Sequence, residues 1–257
     1  MKRRQYELLN EKLGKVSIDD LELLVPNHPF WSKFADGWEP DTERIYRSLL
    51  GPGSVVLDIG AWIGPTIVFA LSSGASKIIA LEPNPSSYRR LEEILELNPS
   101  ITERVTLVNR ALHTTPGKLK MGLAKGETDT SMFGITGSDY EVETISLEAL
   151  LQEHQLDKID LVKIDIEGAE AFLNEELEQL SRQPDQAVHL SVHVPFFPEE
   201  IDKNRFADSF SNYKIYDDRG EKLSTQLLRH RLLSKDSHPH WGTQHGNFFE
   251  LLLLGCG

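Results

Sequence analysis

Asp58, Gly60 and Gly64 follow the short apolar run Val55 to Leu57, and Pro65 comes directly after the second glycine. An apolar strand breaking into a glycine turn that opens a helix offers a ligand bare backbone and the positive end of the helix dipole. A dinucleotide site would use Gly-x-Gly-x-x-Gly. Here the middle glycine is missing, and the Asp58 carboxylate at the strand end would repel a pyrophosphate but suit a cation. S-adenosylmethionine, with an ammonium and a sulfonium, fits that charge better than NAD. Glu82 stands about twenty residues further on, the spacing at which an acid accepts hydrogen bonds from ribose hydroxyls.

The second chemical group is Asp165, Glu167 and His193. Methyl transfer to a hydroxyl needs the acceptor's proton removed. Histidine is neutral and proton-accepting near neutral pH, so His193 is the expected general base, with Asp165 or Glu167 orienting or replacing it. Alternatively the three ligate a divalent cation that lowers the acceptor's pKa. Asp165 and Glu167 are also expected to face the methyl donor across the crevice from Asp58.

These residues need a parallel sheet to bring them to one edge. Val55 to Leu57, Lys77 to Leu81, Val105 to Val108, Ile159 to Ile164 and Val188 to Val194 read as five strands, with helices between them from Pro85 and from Ser146. Strand and helix alternating at this spacing predict right-handed crossovers and a doubly wound α/β sheet, with ligands outside the carboxyl ends of the strands. Tyr213 to Tyr216 and Phe248 to Leu254 add a sixth strand and a last one. Lys118 to Leu123 and Tyr140 to Ile145 read as an inserted hairpin around a polar tip, Lys125 to Gly137. Tyr6, Leu8, Leu9 and Leu13 form a helical stripe ending at Gly14. Pro26 to Pro40 reads as an aromatic loop whose rings must be buried against the sheet edge or a ligand. Residues 1–40 are thus expected to be a helical and aromatic cap ahead of a domain over 41–257, with Asp41 capping a helix from Thr42 to Leu50.

Four stretches, Asp58-Ile-Gly-Ala-Trp-Ile-Gly64, Leu81-Glu-Pro-Asn84, Asn109-Arg-Ala-Leu112 and Lys163-Ile-Asp-Ile-Glu-Gly-Ala-Glu170, resemble in order the motifs of the FkbM family of S-adenosylmethionine-dependent methyltransferases. The resemblance runs from about Trp38 to Glu170. It departs from many members in having Trp62 in place of Asn and Pro65 after the second glycine. It implies the class I methyltransferase fold, Rossmann-like with a mostly parallel seven-stranded sheet, in which the last strand commonly inserts antiparallel between the fifth and sixth. It also implies cofactor contacts from Glu39, Ala61, Trp62, Pro83, Asn84, Asn109 (reading adenine), Arg110 and Ser131, beside the Asp58, Gly60, Gly64, Glu82 and Asp165 already singled out. Family members tend to carry a histidine at the place of His193. Glu170 is expected mainly to complement a helix dipole.

The formal charge of -13 over 257 residues and the pI near 5.2 argue against a nucleic-acid partner. The one cysteine, Cys256, permits no internal disulfide and fits a reducing compartment. Polar residues after Met1-Lys-Arg-Arg4 interrupt any signal-peptide core, and no run is long enough to span a membrane, so a cytoplasmic protein is expected. His230, His238, His240 and His245 beside Trp241 are read as a loop over the acceptor pocket rather than a metal centre, and no resident metal is expected. The expected reaction is O-methylation of a sugar or secondary metabolite. A non-catalytic cofactor-binding module and an NAD-dependent oxidoreductase stand as alternatives.

Overall fold

Alternation, not helical periodicity, governs the N-terminus of the computed structural model, which describes residues 4–123, 131–133, 140–183, 185–197, 201–233 and 248–256. β1 (Gln5–Asn10), β2 (Leu13–Ile18) and β3 (Leu21–Pro26) form a three-stranded antiparallel sheet. The expected helix over Tyr6 to Leu13 is therefore corrected. Asn10 turns the chain by accepting the Lys12 N–H (2.9 Å), and Leu8 and Leu9 lie exposed at 58% and 43% instead of forming a buried stripe. Val16, Ile18, Leu23 and Val25 are the residues that alternate inward.

The expected loop over Pro26 to Pro40 contains α1 (Phe30–Ala35). Its rings are buried in protein: Phe34 stacks on Phe69 at 5.2 Å, and Phe30 meets Trp62 edge-on at 4.6 Å. The buried Arg4 side chain pairs with Glu43, donates to the carbonyls of Phe34 and Trp38, and lies over the rings of Phe34 and Phe69. The N-terminal sheet thus shares one apolar cluster with the central strands.

α2 (Pro40–Leu49) starts at Pro40, and its preceding residue is Glu39 in the left-handed region (φ 43°), not Asp41. Then follow β4 (Val55–Ile59), α3 (Pro65–Ser72), β5 (Lys77–Leu81), α4 (Pro85–Leu97), β6 (Val105–Val108), β7 (Ala111–Leu112), β8 (Gly117–Leu123), β9 (Ser131–Phe133), β10 (Tyr140–Ile145) and α5 (Leu147–Glu153). The chain continues through β11 (Leu161–Ile164), α6 (Asn174–Leu180), β12 (Ala187–His193), α7 (Lys203–Asp208), β13 (Tyr213–Asp217), β14 (Lys222–Leu223), α8 (Thr225–Leu233) and β15 (Phe248–Gly255). Asn98 stitches α4 to the N-terminal sheet, accepting the Leu24 N–H and donating to the Leu24 carbonyl (2.9 and 2.7 Å).

The main sheet runs β14-β13-β15-β12-β11-β4-β5-β6, with β15 antiparallel to both neighbours and β12 through β6 parallel. The expected doubly wound α/β order is present, with the last strand inserted antiparallel. The short β14 makes it eight-stranded rather than seven-stranded. The inserted strands form a separate sheet, β7-β10-β8-β9. Strand order reverses between β4 and β11, which places a crevice at their carboxyl ends. Across that point Asp58 of β4, Lys163 of β11 and His189 of β12 stand in register. Three ionisable groups therefore stand in one row across adjacent central strands. No helix among the described residues is long and apolar enough to cross a membrane.

Candidate active site

The glycine turn is tied to β5 by its backbone: the N–H groups of Gly60 and Ala61 both donate to the Leu81 carbonyl at 3.0 Å. Gly60 and Gly64 hold φ of 85° and 93°, and Trp62 between them is left-handed at 50°. A non-glycine residue in that region is strained, and such strain gathers at functional sites. The Trp62 N–H donates to Glu82 Oε2 (2.8 Å), and the Asn84 N–H donates to Glu82 Oε1 (2.7 Å). Asp58 is 1% exposed; its Oδ2 accepts from Thr66 Oγ1 (2.6 Å), while Oδ1 is buried without a partner. An orphaned buried carboxylate oxygen is costly unless a ligand satisfies it.

Burial pushes the Glu82 carboxyl up to about 7, against the pull of its two backbone donors. A raised carboxyl favours folding below its unfolded pKa and loses that contribution as pH rises through about 7. A ligand hydroxyl donating to Glu82 favours the ionised form. Affinity for an adenosyl nucleoside is therefore expected to rise from pH 6 to pH 8, and Glu82→Gln to flatten the rise while weakening binding by roughly ten- to hundredfold. Calorimetry with S-adenosylhomocysteine across that range checks both.

At the switch point Lys163 is 4% exposed and donates to Asp165 Oδ2 at 3.0 Å. Burial opposes its charge, but Asp165, Asp58 and Glu39 outweigh it and hold the ammonium protonated. Burial likewise works against the Asp165 charge, yet Lys163 and His193 keep that carboxyl below the usual range. Glu39 Oε2 accepts from Thr42 Oγ1 (3.0 Å), and burial with Glu250 and Asp165 nearby drives its carboxyl well upward. Glu250 Oε2 lies 3.1 Å from His189 Nε2.

His193 ends β12 against three carboxylates. Its Nδ1 is 3.1 Å from Glu170 Oε1, and its Nε2 is 3.5 Å from Asp165 Oδ1 and 3.6 Å from Glu167 Oε2. Burial lowers the ring's pKa, but Glu170, Asp165 and Glu167 together push it up to about 10. The ring therefore carries its proton at neutral pH, where the sequence alone suggests a neutral base. Glu167 is raised to about 7, mainly by burial. Glu167 is also left-handed (φ 52°).

Beside the turn a mostly apolar pocket is lined by Gly60, Leu81, Pro83, Arg110, Ala111 and Met121 among others. The Asn109 amide donates to the carbonyls of Glu82 (2.7 Å) and Pro83 (3.3 Å), and Arg110 pairs with Glu153 of α5 (2.5 Å). Asn84 caps α4 through Oδ1, accepting from the N–H groups of Ser86 and Ser87. The side chain of Ser131, most of the tip around it, and His238, His240, Trp241 and His245 lie outside the described residues.

Residues 58–218 match the methyltransferase FkbM domain. The chain belongs to the FkbM methyltransferase family. It is 24% identical over 165 residues to the hexuronic acid methyltransferase AglP of Haloferax volcanii, covering 64% of this chain and 66% of that protein. It is 31% identical over 116 residues to the electron transfer flavoprotein beta subunit lysine methyltransferase of Mus musculus, covering 39% and 45%. The chain thus spans about half to two thirds of these relatives' lengths. A solved methyltransferase structure complexed with SAH shares the fold at a TM-score of 0.50 and 9% identity, covering 96% of this chain and 57% of that one.

Within this family fold the structure brings Asp58, Gly60, Trp62, Glu82, Glu39 and Asp165 to one sheet edge, with Glu167 and His193 at its β12 side. Lys163, His189, Glu250 and Glu170 belong to the same network without having been singled out for it from sequence. Lys163 carried a usable signal, a lone charge inside the apolar Leu161 to Ile164 strand. Glu170 did not, because its partner His193 lies on another strand; it is fully buried and accepts both the backbone N–H of His193 (2.6 Å) and the ring.

Proposed function

We propose that the protein is an S-adenosylmethionine-dependent methyltransferase acting on a hydroxyl of a sugar or secondary metabolite. The observation that carries this reading is the unpartnered Asp58 oxygen in an acidic crevice, next to a mostly apolar pocket. Glu82 would take the ribose hydroxyls, Pro83 and Ala111 the base, and Asp58 with Glu39 and Asp165 the cationic end. When bound, the cofactor supplies a methyl group already activated on a sulfonium. The chain's own work is to hold an acceptor in line, an effect that reaches about 7–11 kcal/mol in favourable cases, and to take its proton. Glu167 accepts that proton, and the His193 imidazolium, oriented by Glu170, holds the carboxylates in place. The hexuronic acid substrate of AglP supports a sugar acceptor; the lysine methyltransferase relative makes an amine the competing acceptor.

Transfer of labelled methyl from S-adenosylmethionine into a whole-cell extract, then resolved into metabolites and protein, tests the reading. Label in a sugar-containing product supports it; label in protein lysine, or none while the cofactor binds, replaces it with an N-methyltransferase or a non-catalytic module. Binding of NAD instead would turn it to redox chemistry. Glu167→Gln is expected to lower turnover roughly 10²–10⁴-fold while leaving S-adenosylhomocysteine affinity within a few fold.

A further inference from the structure

We propose that Asp165, Glu167 and His193 form a divalent-cation site open to the crevice. One ligand atom from each lies within 4.8 Å of the others. The two Nε2 to carboxylate separations, 3.5 and 3.6 Å, are long for hydrogen bonds. Two donors about 2.1 Å from a shared ion, at about 90–110° to each other, are about 3.0–3.5 Å apart. The observed gaps are within a few tenths of an ångström of that spacing.

The surroundings leave the two carboxylate oxygens open to such a ligand, and the cation would take the place of the His193 Nε2 proton, which is released on binding. Lys163 occupies Asp165 Oδ2, so Oδ1 is the oxygen turned to the cluster. Glu170, with no exposure, takes the Nδ1 side of His193 and also accepts the backbone N–H groups of Gly168 (2.8 Å) and His193 (2.6 Å). A carboxylate that fixes one ring nitrogen so that the other faces a carboxylate pair is the supporting arrangement found behind metal-bound histidines. Phe196 stacks on the imidazole at 6.1 Å and 8°, and Phe248 meets it edge-on at 5.2 Å, which restricts the ring's rotation. The side chains of His193, Asp165 and Glu167 are 13%, 26% and 31% exposed, so the remaining coordination positions face the crevice. Two carboxylates and one imidazole with open positions suit a first-row dication better than Ca²⁺.

The cation's role rests on the methyltransferase reading, although the site itself does not. An acceptor hydroxyl coordinated there has its pKa lowered. Its O–H bond would break with the proton passing to Glu167, and the oxygen's electron pair would form the new bond to the methyl carbon as the carbon–sulfur bond of the sulfonium breaks, its electrons staying on the sulfur of the neutral thioether product.

Mn²⁺ titrated into the chelator-stripped full-length protein, with and without S-adenosylhomocysteine, and followed through the free-ion electron paramagnetic resonance signal, tests the site. One Mn²⁺ per chain is expected, with affinity falling at least tenfold in Glu167→Gln and again in Asp165→Asn, each checked for folding by circular dichroism. Should either variant fail to fold, Glu170→Gln is expected to lose roughly 10–100-fold. Absence of stoichiometric binding by wild type below about 1 mM free Mn²⁺, or unchanged affinity in the folded variants, overturns the proposal. If S-adenosylhomocysteine binds and Mn²⁺ does not, the cation site falls and the methyltransferase reading stands; the reverse result separates them the other way.

Discussion

Gly60→Ala is expected to destabilise the protein by roughly 3–5 kcal/mol and to abolish measurable S-adenosylhomocysteine binding. A methyl group there would lie 1.9 Å from the Asp165 carbonyl oxygen and 2.9 Å from its carbon. Those are backbone atoms at the exit of β11 and cannot swing aside as a side chain would. The residue also sits at φ 85°, a conformation that an L side chain adopts only with strain. The glycine is needed because two strands' exits converge, so a substitution pushes Asp165 and Asp58 apart as well as straining the turn. Gly53→Ala is the control. It has a similar φ of 93° but nothing within 4 Å, so only the conformational term of about 1 kcal/mol remains. Urea denaturation of both variants reads the difference, and equal losses would show that the contact with Asp165 is unimportant.

Lys163→Met is expected to be the second severe substitution, with a loss of roughly 3–5 kcal/mol. The ammonium is a buried positive charge facing Asp165, Asp58 and Glu39, of which Asp165 also meets the His193 imidazolium. Methionine fills much of the volume but leaves carboxylates that are buried and uncompensated, a larger penalty than losing the pair as a whole. The double variant Lys163→Met with Asp165→Asn should therefore recover part of the loss, giving a coupling energy of about 1 kcal/mol or more. Strict additivity in denaturant melts would mean that the ion pair at 3.0 Å is not what holds this row together.

Several features were legible without coordinates because they are local. Apolar runs such as Ile78 to Leu81 and Leu161 to Ile164 carry their own strand signal, and Gly60, Gly64 and Pro65 specify a turn and a helix start by their backbone preferences alone. The acids at the strand ends follow from the same reading, since alternating strands and helices bring carboxyl ends to one edge.

The N-terminal segment was not legible. Tyr6, Leu8, Leu9 and Leu13 satisfy a helical spacing, and only the packing of Val16, Ile18, Leu23 and Val25 against the central strands makes a three-stranded sheet the better burial. Nor were the partners of the charged groups. That Asp58, Lys163 and His189 share one row depends on strand register, and that Glu170 turns His193 toward two more carboxylates depends on how the chain leaves β11. Backbone propensity acts between neighbours in the chain, so residue order alone determined the strands, the glycine turn and the edge where the acids gather. Charge, pKa and hydrogen bonding act between neighbours in space, so only the packed sheet decided which acid meets which cation and which proton stays on His193.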